Sequence, residues 1–279
     1  MSYSLRASLA SVAVVLACLE GGCAPREDSF VTQELDSETQ GVDPTEGVQL
    51  SDVALELEGA PAGYARTARV DELGRLEVTF IAGEAEPLLD ALVASLKGDD
   101  VSVDLRVVDS GGDELVVEGA TPSELAVMWT MPTSKGAESL ATITVAWTAE
   151  DVKYSSGNGG VVKGNLSQAP KSTSLDIQGL DPSDLRGFTL KAKRPTKHYG
   201  AWDVSGLKTE GSATKASTIK TLVDAGALLP VSFVLVDKTT GTETSATFEA
   251  TPVSLTEEPL QSTIEWAVEG QIMKIQQKG

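Results

Sequence analysis

Cysteine and histidine are nearly missing from this chain of 279 residues: its two cysteines, Cys18 and Cys23, sit close to the start, and His198 is its one histidine. No disulfide can therefore staple the chain beyond Cys23, and a chain this long buries enough apolar surface to stand without one. The same scarcity removes the commonest bases, nucleophiles and zinc ligands. No Gly-x-Ser-x-Gly elbow, phosphate-binding Gly-Lys-Ser/Thr loop, His-Glu-x-x-His helix or dinucleotide fingerprint is present. This inventory points away from an enzyme and implies neither cofactor nor metal. Positive charge is also scarce, with 22 Lys and Arg against 41 Asp and Glu, and a net charge of −19 argues against nucleic acid as a partner.

Long apolar runs are absent with one exception. Met1 to Arg6 carries a single positive charge, and Ala7 to Leu19 is an almost unbroken run of small and apolar residues. It stops at Glu20-Gly21-Gly22, short of the roughly 20 residues that a membrane-spanning helix needs. The segment reads as a signal peptide over residues 1–22. Bacterial lipoprotein signals end in a small residue directly before a cysteine that takes a diacylglyceryl group, and two positions here resemble that pattern. Val15-Leu16-Ala17-Cys18 has the aliphatic residues; Leu19-Glu20-Gly21-Gly22-Cys23 has the small ones but an acid among them. Lipid attachment is expected at Cys18 or Cys23. The resemblance to bacterial lipoproteins implies anchoring in the cell envelope, at the outer membrane facing the periplasm or at the cell surface.

Residues 23–48 change composition abruptly, with Glu27, Asp28, Glu34, Asp36, Glu38, Asp43 and Glu46 set against the single Arg26. Low hydrophobicity and a one-sided charge predict an extended tether.

Beyond it the chain reads as short alternating or β-branched runs separated by Gly, Asp, Asn, Ser and Pro, the pattern of antiparallel sheet. Val53 to Leu57, Leu76 to Phe80, Val101 to Val107 and Thr142 to Trp147 are the clearest, and Asp109-Ser110-Gly111-Gly112-Asp113 reads as a hairpin turn. One helix stands out over Ala85 to Lys97, with Pro87 in its first turn, Gly98 past its end and Leu88, Leu89, Leu92, Val93 and Leu96 on one stripe.

Several motifs then recur. Leu55-Glu56-Leu57-Glu58-Gly59 returns as Leu175-Asp176-Ile177-Gln178-Gly179. Leu92-Val93 returns as Leu222-Val223, Val101-Ser102 as Val231-Ser232, and Ala120-Thr121-Pro122 as Ala250-Thr251-Pro252, these three at one spacing of 130 residues. Thr142-Ile143 with Trp147 returns as Thr263-Ile264 with Trp266. Their common order predicts an internal duplication. The expected fold is mainly β, a β-barrel or sandwich with one flanking helix, in two tandem related domains over residues 49–153 and 172–279 with a linker at 154–171.

The second copy, in the order Leu175 to Leu180, Gly187-Phe188, the helical segment Ser217 to Ala225, Val231 to Asp237, Thr239-Thr240-Gly241, Ala250 to Val253 and Thr263 to Gly270, resembles the tail-tube proteins of contractile phage tails and injection systems. That resemblance implies a β-barrel with one flanking helix and a role in an ordered assembly; the signal peptide departs from it.

Charge is uneven: residues 49–171 hold 9 basic and 20 acidic side chains, residues 172–279 hold 11 and 13. Arg186, Lys191, Lys193, Arg194 and Lys197 concentrate positive charge, either as a contact for an anionic partner or as a solvated strand edge. Candidate partners are the membrane through the N-terminal lipid, a second copy, and an envelope protein or glycan. Asp109 with Asp113 and Asp181 with Asp184 flank turns, where an Asp caps its own backbone more readily than it builds a calcium loop. Trp129, Trp147, Trp202 and Trp266 fall in or beside the expected strands, so core packing is their default role.

Overall fold

The computed structural model describes residues 47–71, 74–131, 140–157, 171–181, 184–195, 201–212, 216–237, 240–257, 261–268 and 271–278. Fourteen strands and two helices succeed one another as β1 (Gln49–Leu57), β2 (Ala60–Val70), β3 (Leu76–Ile81), α1 (Glu86–Lys97), β4 (Val103–Val108), β5 (Glu114–Thr130), β6 (Thr142–Thr148), β7 (Asp151–Ser155), β8 (Lys171–Ile177), β9 (Leu185–Lys193), β10 (Trp202–Ser212), α2 (Ala216–Ala225), β11 (Leu229–Asp237), β12 (Glu243–Glu257), β13 (Gln261–Ala267) and β14 (Ile272–Lys278). All the strand pairs are antiparallel, as the alternating sequence pattern demands.

The first half closes on itself. β1 pairs with β2, β2 with β3, β3 with β6, β6 with β5, β5 with β4, and β4 again with β1, a six-stranded barrel. Closure is fed by period-two burial: Leu76, Val78 and Phe80 of β3, and Ile143, Val145 and Trp147 of β6, point inward. β1 and β2 meet through a two-residue turn, Glu58-Gly59, whose φ values of 51° and 74° fit the mirror-image turn that matches strand twist. β7 adds to the free flank of β5.

The second half repeats these pairings in the same order, β8–β11, β11–β12, β12–β13, β13–β10 and β10–β9, with β14 on β12. The correspondence reaches single residues. Pro122 sits opposite Trp147 with a register shift directly after it, and Pro252 sits opposite Trp266 with the same shift. The Glu58 amide donates to the Asp104 carbonyl as the Gln178 amide donates to that of Pro230. One sequence match does not survive this comparison: Ala120 pairs with Val103 and Ala250 with Leu229, so the pairing register sets Val103, not Val101, against the start of β11.

The halves differ at one seam. No β8–β9 ladder is found among the described residues, and β9 pairs instead with β5 of the first half over Glu124 to Thr130. Trp129 stacks on Phe188 across that seam with ring centroids 5.7 Å apart, and Phe188 meets Phe233 edge-on at 5.9 Å. Such aromatic pairs contribute about 0.5–1.5 kcal/mol beyond their burial.

α1 binds the halves together. Its Leu89, Leu92, Val93 and Leu96 face a common apolar space of about 30 Å³ with Leu125 and Val127 of β5, Leu190 of β9, and Phe233 and Leu235 of β11. At its start Glu86 pairs with Lys171 at 2.8 Å, and Lys171 also reaches Asp237 at 3.4 Å. Near its end the Trp202 indole N–H donates to the Ser95 carbonyl at 3.2 Å. Gly98, at φ 102°, closes the helix by donating to the Ser95 carbonyl. Trp147, Trp202 and Trp266 are buried and Trp129 is half-buried, so all four tryptophans pack rather than form a platform.

Candidate functional site

The expected lipid attachment positions Cys18 and Cys23, the signal peptide and the tether up to residue 46 lie outside the described residues, as do Lys197 and His198. No helix among the described residues is long and apolar enough to cross a membrane.

The other basic residues are brought together only in part. Lys191 and Lys193 lie on the exposed face of β9. Acids flank the second: Lys193 stands between Glu124 of β5 and Asp203 of β10 in register, whereas Lys191 faces Ala126 and Gly206, and Glu124 also takes the Arg75 guanidinium at 2.7 Å. Arg194 leans to Asp100 at 3.6 Å, a contact with an almost fully exposed carboxylate that contributes little. Arg186 lies at the other end of β9, where its carbonyl accepts the Met131 amide. At the Lys193 row the outer face of the seam thus alternates in sign across neighbouring strands, which favours that register.

The turn aspartates cap backbone. Asp109 accepts the amides of Gly111 and Asp113 at 2.8 and 2.9 Å. Asp113 accepts the Gly157 amide at 2.8 Å and the Ser156 and Tyr154 hydroxyls at 2.9 and 3.1 Å. Those donors, the Gly157 amide foremost, hold its carboxyl below the usual range. The Asp184 amide donates to the Asp181 carbonyl. Among the described residues no cluster of three His, Cys, Asp or Glu side chains is placed to hold a metal ion.

Sequence reasoning missed one surface feature, an open groove of about 330 Å³ over β2, lined by Asp52, Tyr64, Ala65, Arg66 and Glu84. Its floor is β2 where that strand has left β3 and runs against the loop leading to α1. The Tyr64 amide donates to the Glu84 carbonyl at 3.0 Å, and Arg66 Nη2 meets Glu84 Oε1 at 2.8 Å. Gly63 makes the close approach possible: a Cβ there would fall 2.2 Å from the Glu84 carbonyl oxygen, and its φ of 129° suits glycine alone. The available signal was Gly63-Tyr64 within an alanine-rich run, too short to weigh against a loop.

Compared with known proteins, the chain matches no family model and none of the curated sequences.

Proposed function

We propose that this protein is a lipid-anchored component of the bacterial cell envelope whose β body acts by binding or assembly rather than by chemistry. The reading rests on one observation: the apolar run Ala7 to Leu19 ends beside two cysteines, and no other cysteine comes after Cys23. A thiol kept only at the end of a signal-like segment is the pattern that lipid attachment requires. The body is consistent with it, since the depressed carboxyl of Asp113 spends its oxygens on holding Tyr154, Ser156 and Gly157 at the end of β7. The deciding experiment is the intact mass of the membrane-fractionated protein, wild type against Cys18→Ser and Cys23→Ser. One substitution is expected to remove the diacylglyceryl mass and free the chain from membranes; if neither does, the anchor reading is refuted.

A second reading, a subunit of an ordered tail-tube-like assembly, is favoured by the repeated strand pairings and by the β5–β9 ladder that joins the closed barrel to the second half. On this reading the halves are copies of one ancestral unit, divided within residues 154–171, and a second copy of the chain is the partner. Rings or filaments seen by electron microscopy at micromolar protein would support it, and a monomer at all concentrations would sink it.

A further inference from the structure

The non-glycine residues with positive φ in the described chain are Asp52 and Glu58, both at 51°. Glu58 owes its conformation to the tight β1–β2 turn. Asp52 has no such cause: it lies inside β1, where the register passes from Ser51 opposite Thr67 to Val53 opposite Ala65 and leaves Asp52 and Arg66 turned outward. Left-handed backbone costs a non-glycine residue about 1–2 kcal/mol, least for Asp and Asn. Strain held in a strand interior, beside a cavity, is a recognised mark of a binding site. The Asp52 carboxylate also makes no hydrogen bond or ion pair to another described residue, whereas Tyr64 beside it leaves 41% of its surface exposed.

We propose that this groove over β2 binds a saccharide, with the Tyr64 ring as the stacking surface and Asp52, Arg66 and Glu84 as partners for its hydroxyls. The proposal rests on the binding role already proposed for the β body and names its ligand class. Size permits it, since small-molecule sites begin at about 300 Å³. Charge narrows the chemistry. An anion meets two carboxylates, of which Arg66 offsets one. A metal ion finds no third acidic ligand among the described residues. An apolar ligand would strip water from Asp52 and from the Arg66–Glu84 pair without replacing its hydrogen bonds. An ammonium group suits Tyr64 and Asp52 but is donor-only and is repelled by Arg66. A sugar hydroxyl both donates and accepts, so it satisfies the carboxylate of Asp52 and the guanidinium of Arg66 at once, while the ring's apolar face covers Tyr64. The second half has no counterpart, because Ser172 occupies the position of Asp52 and β8 has no β9 ladder among the described residues.

The test is titration calorimetry of the full chain in detergent against tetrasaccharides of β-1,4-linked N-acetylglucosamine, glucose and mannose, with tetramethylammonium as the cationic comparison. At least one tetrasaccharide is expected to bind, and Tyr64→Ala is expected to weaken it about tenfold or more, with an unchanged melting temperature. Asp52→Asn, which keeps the left-handed preference and the shape but removes the charge, is expected to weaken binding as well. Saccharide binding indifferent to both substitutions, tetramethylammonium binding without saccharide binding, or no binding at all would overturn the proposal. None of these outcomes bears on the lipid anchor, which is read by mass.

Discussion

The equivalence of the halves makes a stability prediction that neither half would suggest alone. In the second half the Trp266 indole N–H donates to the Thr209 hydroxyl at 2.9 Å, both residues being buried. In the first half Trp147 occupies the same place, opposite Leu76 as Trp266 is opposite Leu207, yet its indole nitrogen has no partner among the described residues. The reason is one residue: two positions after Leu76 stands Val78, where two after Leu207 stands Thr209. Valine is nearly isosteric with threonine and offers no acceptor. Thr209→Val should therefore orphan the Trp266 N–H and cost about 1–3 kcal/mol, the penalty of a buried unsatisfied donor. Val78→Thr buries a hydroxyl, which without a partner would cost a similar amount, but here it gives Trp147 its missing acceptor. The expected change is between zero and about 1 kcal/mol of stabilisation. Urea unfolding followed by tryptophan fluorescence measures both, and a change of 1 kcal/mol moves the thermal midpoint of a domain this size by roughly 2–4 °C. If Val78→Thr destabilises by as much as Thr209→Val does, the two tryptophans are not equivalent and the reasoning is refuted.

Two further outcomes are expected. Lys171→Met should destabilise by about 3 kcal/mol, the lower end for a broken buried pair because Glu86 is one-third exposed, and adding Asp237→Asn should recover part of the loss in the same urea assay; an effect under a few tenths would show that Lys171 does not hold α1 to β8. Asp113 has a folded pKa below its unfolded value of about 3.9, so its contribution is present above that value and is lost as pH falls through the depressed one. The stability gap between wild type and Asp113→Asn, measured by thermal melts, should thus be largest near pH 7 and narrow as pH falls below the unfolded value of about 3.9; a gap that widens on acidification would reverse the assignment.

Much of the β architecture was legible because its strands are half-buried and alternate cleanly: the runs at Leu76, Thr142 and Val231 lie inside observed strands, and the stripe at Leu88 to Leu96 is the buried face of α1. β2 was not legible. Its inward residues before Val70 are Ala62, Ala65 and Ala68, and Gly63 presses against Ala85, so the approach of α1 demands small residues where strand patterns call for β-branched ones. The same substitution of small for large hid the groove that β2 floors. β7 and β14 escaped notice because their exposed polar residues carry no alternation strong enough to read, although they lengthen the sheet at equivalent places. Five positive residues close in sequence suggest one field; Lys191 and Lys193 do share the outer face of β9, but Lys193 is set between Glu124 and Asp203 of the neighbouring strands, and Lys197 lies outside the described residues.

The seam between the halves arises from one exchange of edges. β2 and β9 hold the same place in the pairing order of their halves, and each pairs on one side with the next strand in the chain. On the other side β2 takes β1 and completes a barrel, whereas β9 takes β5 and leaves β8 without that partner among the described residues. β5 accommodates this by length: Glu114 to Ala120 serves β4 and β7, while the stretch from Thr121 to Thr130 serves β6 and β9. The shift after Pro122 divides the two stretches and bends the strand from one set of partners to the other, as a bulge does. The second half gains part of its core from across the seam, through Leu125, Val127 and the apolar stripe of α1. An exposed strand edge invites promiscuous pairing, and here the inward residues of β8, Thr173, Leu175 and Ile177, are buried. The outer face from β2 to β10, where Arg69, Glu77, Glu124, Lys193 and Asp203 lie along one register row with Ala146 of β6 between Glu77 and Glu124, is a surface whose charge order a face-to-face contact between chains would have to match.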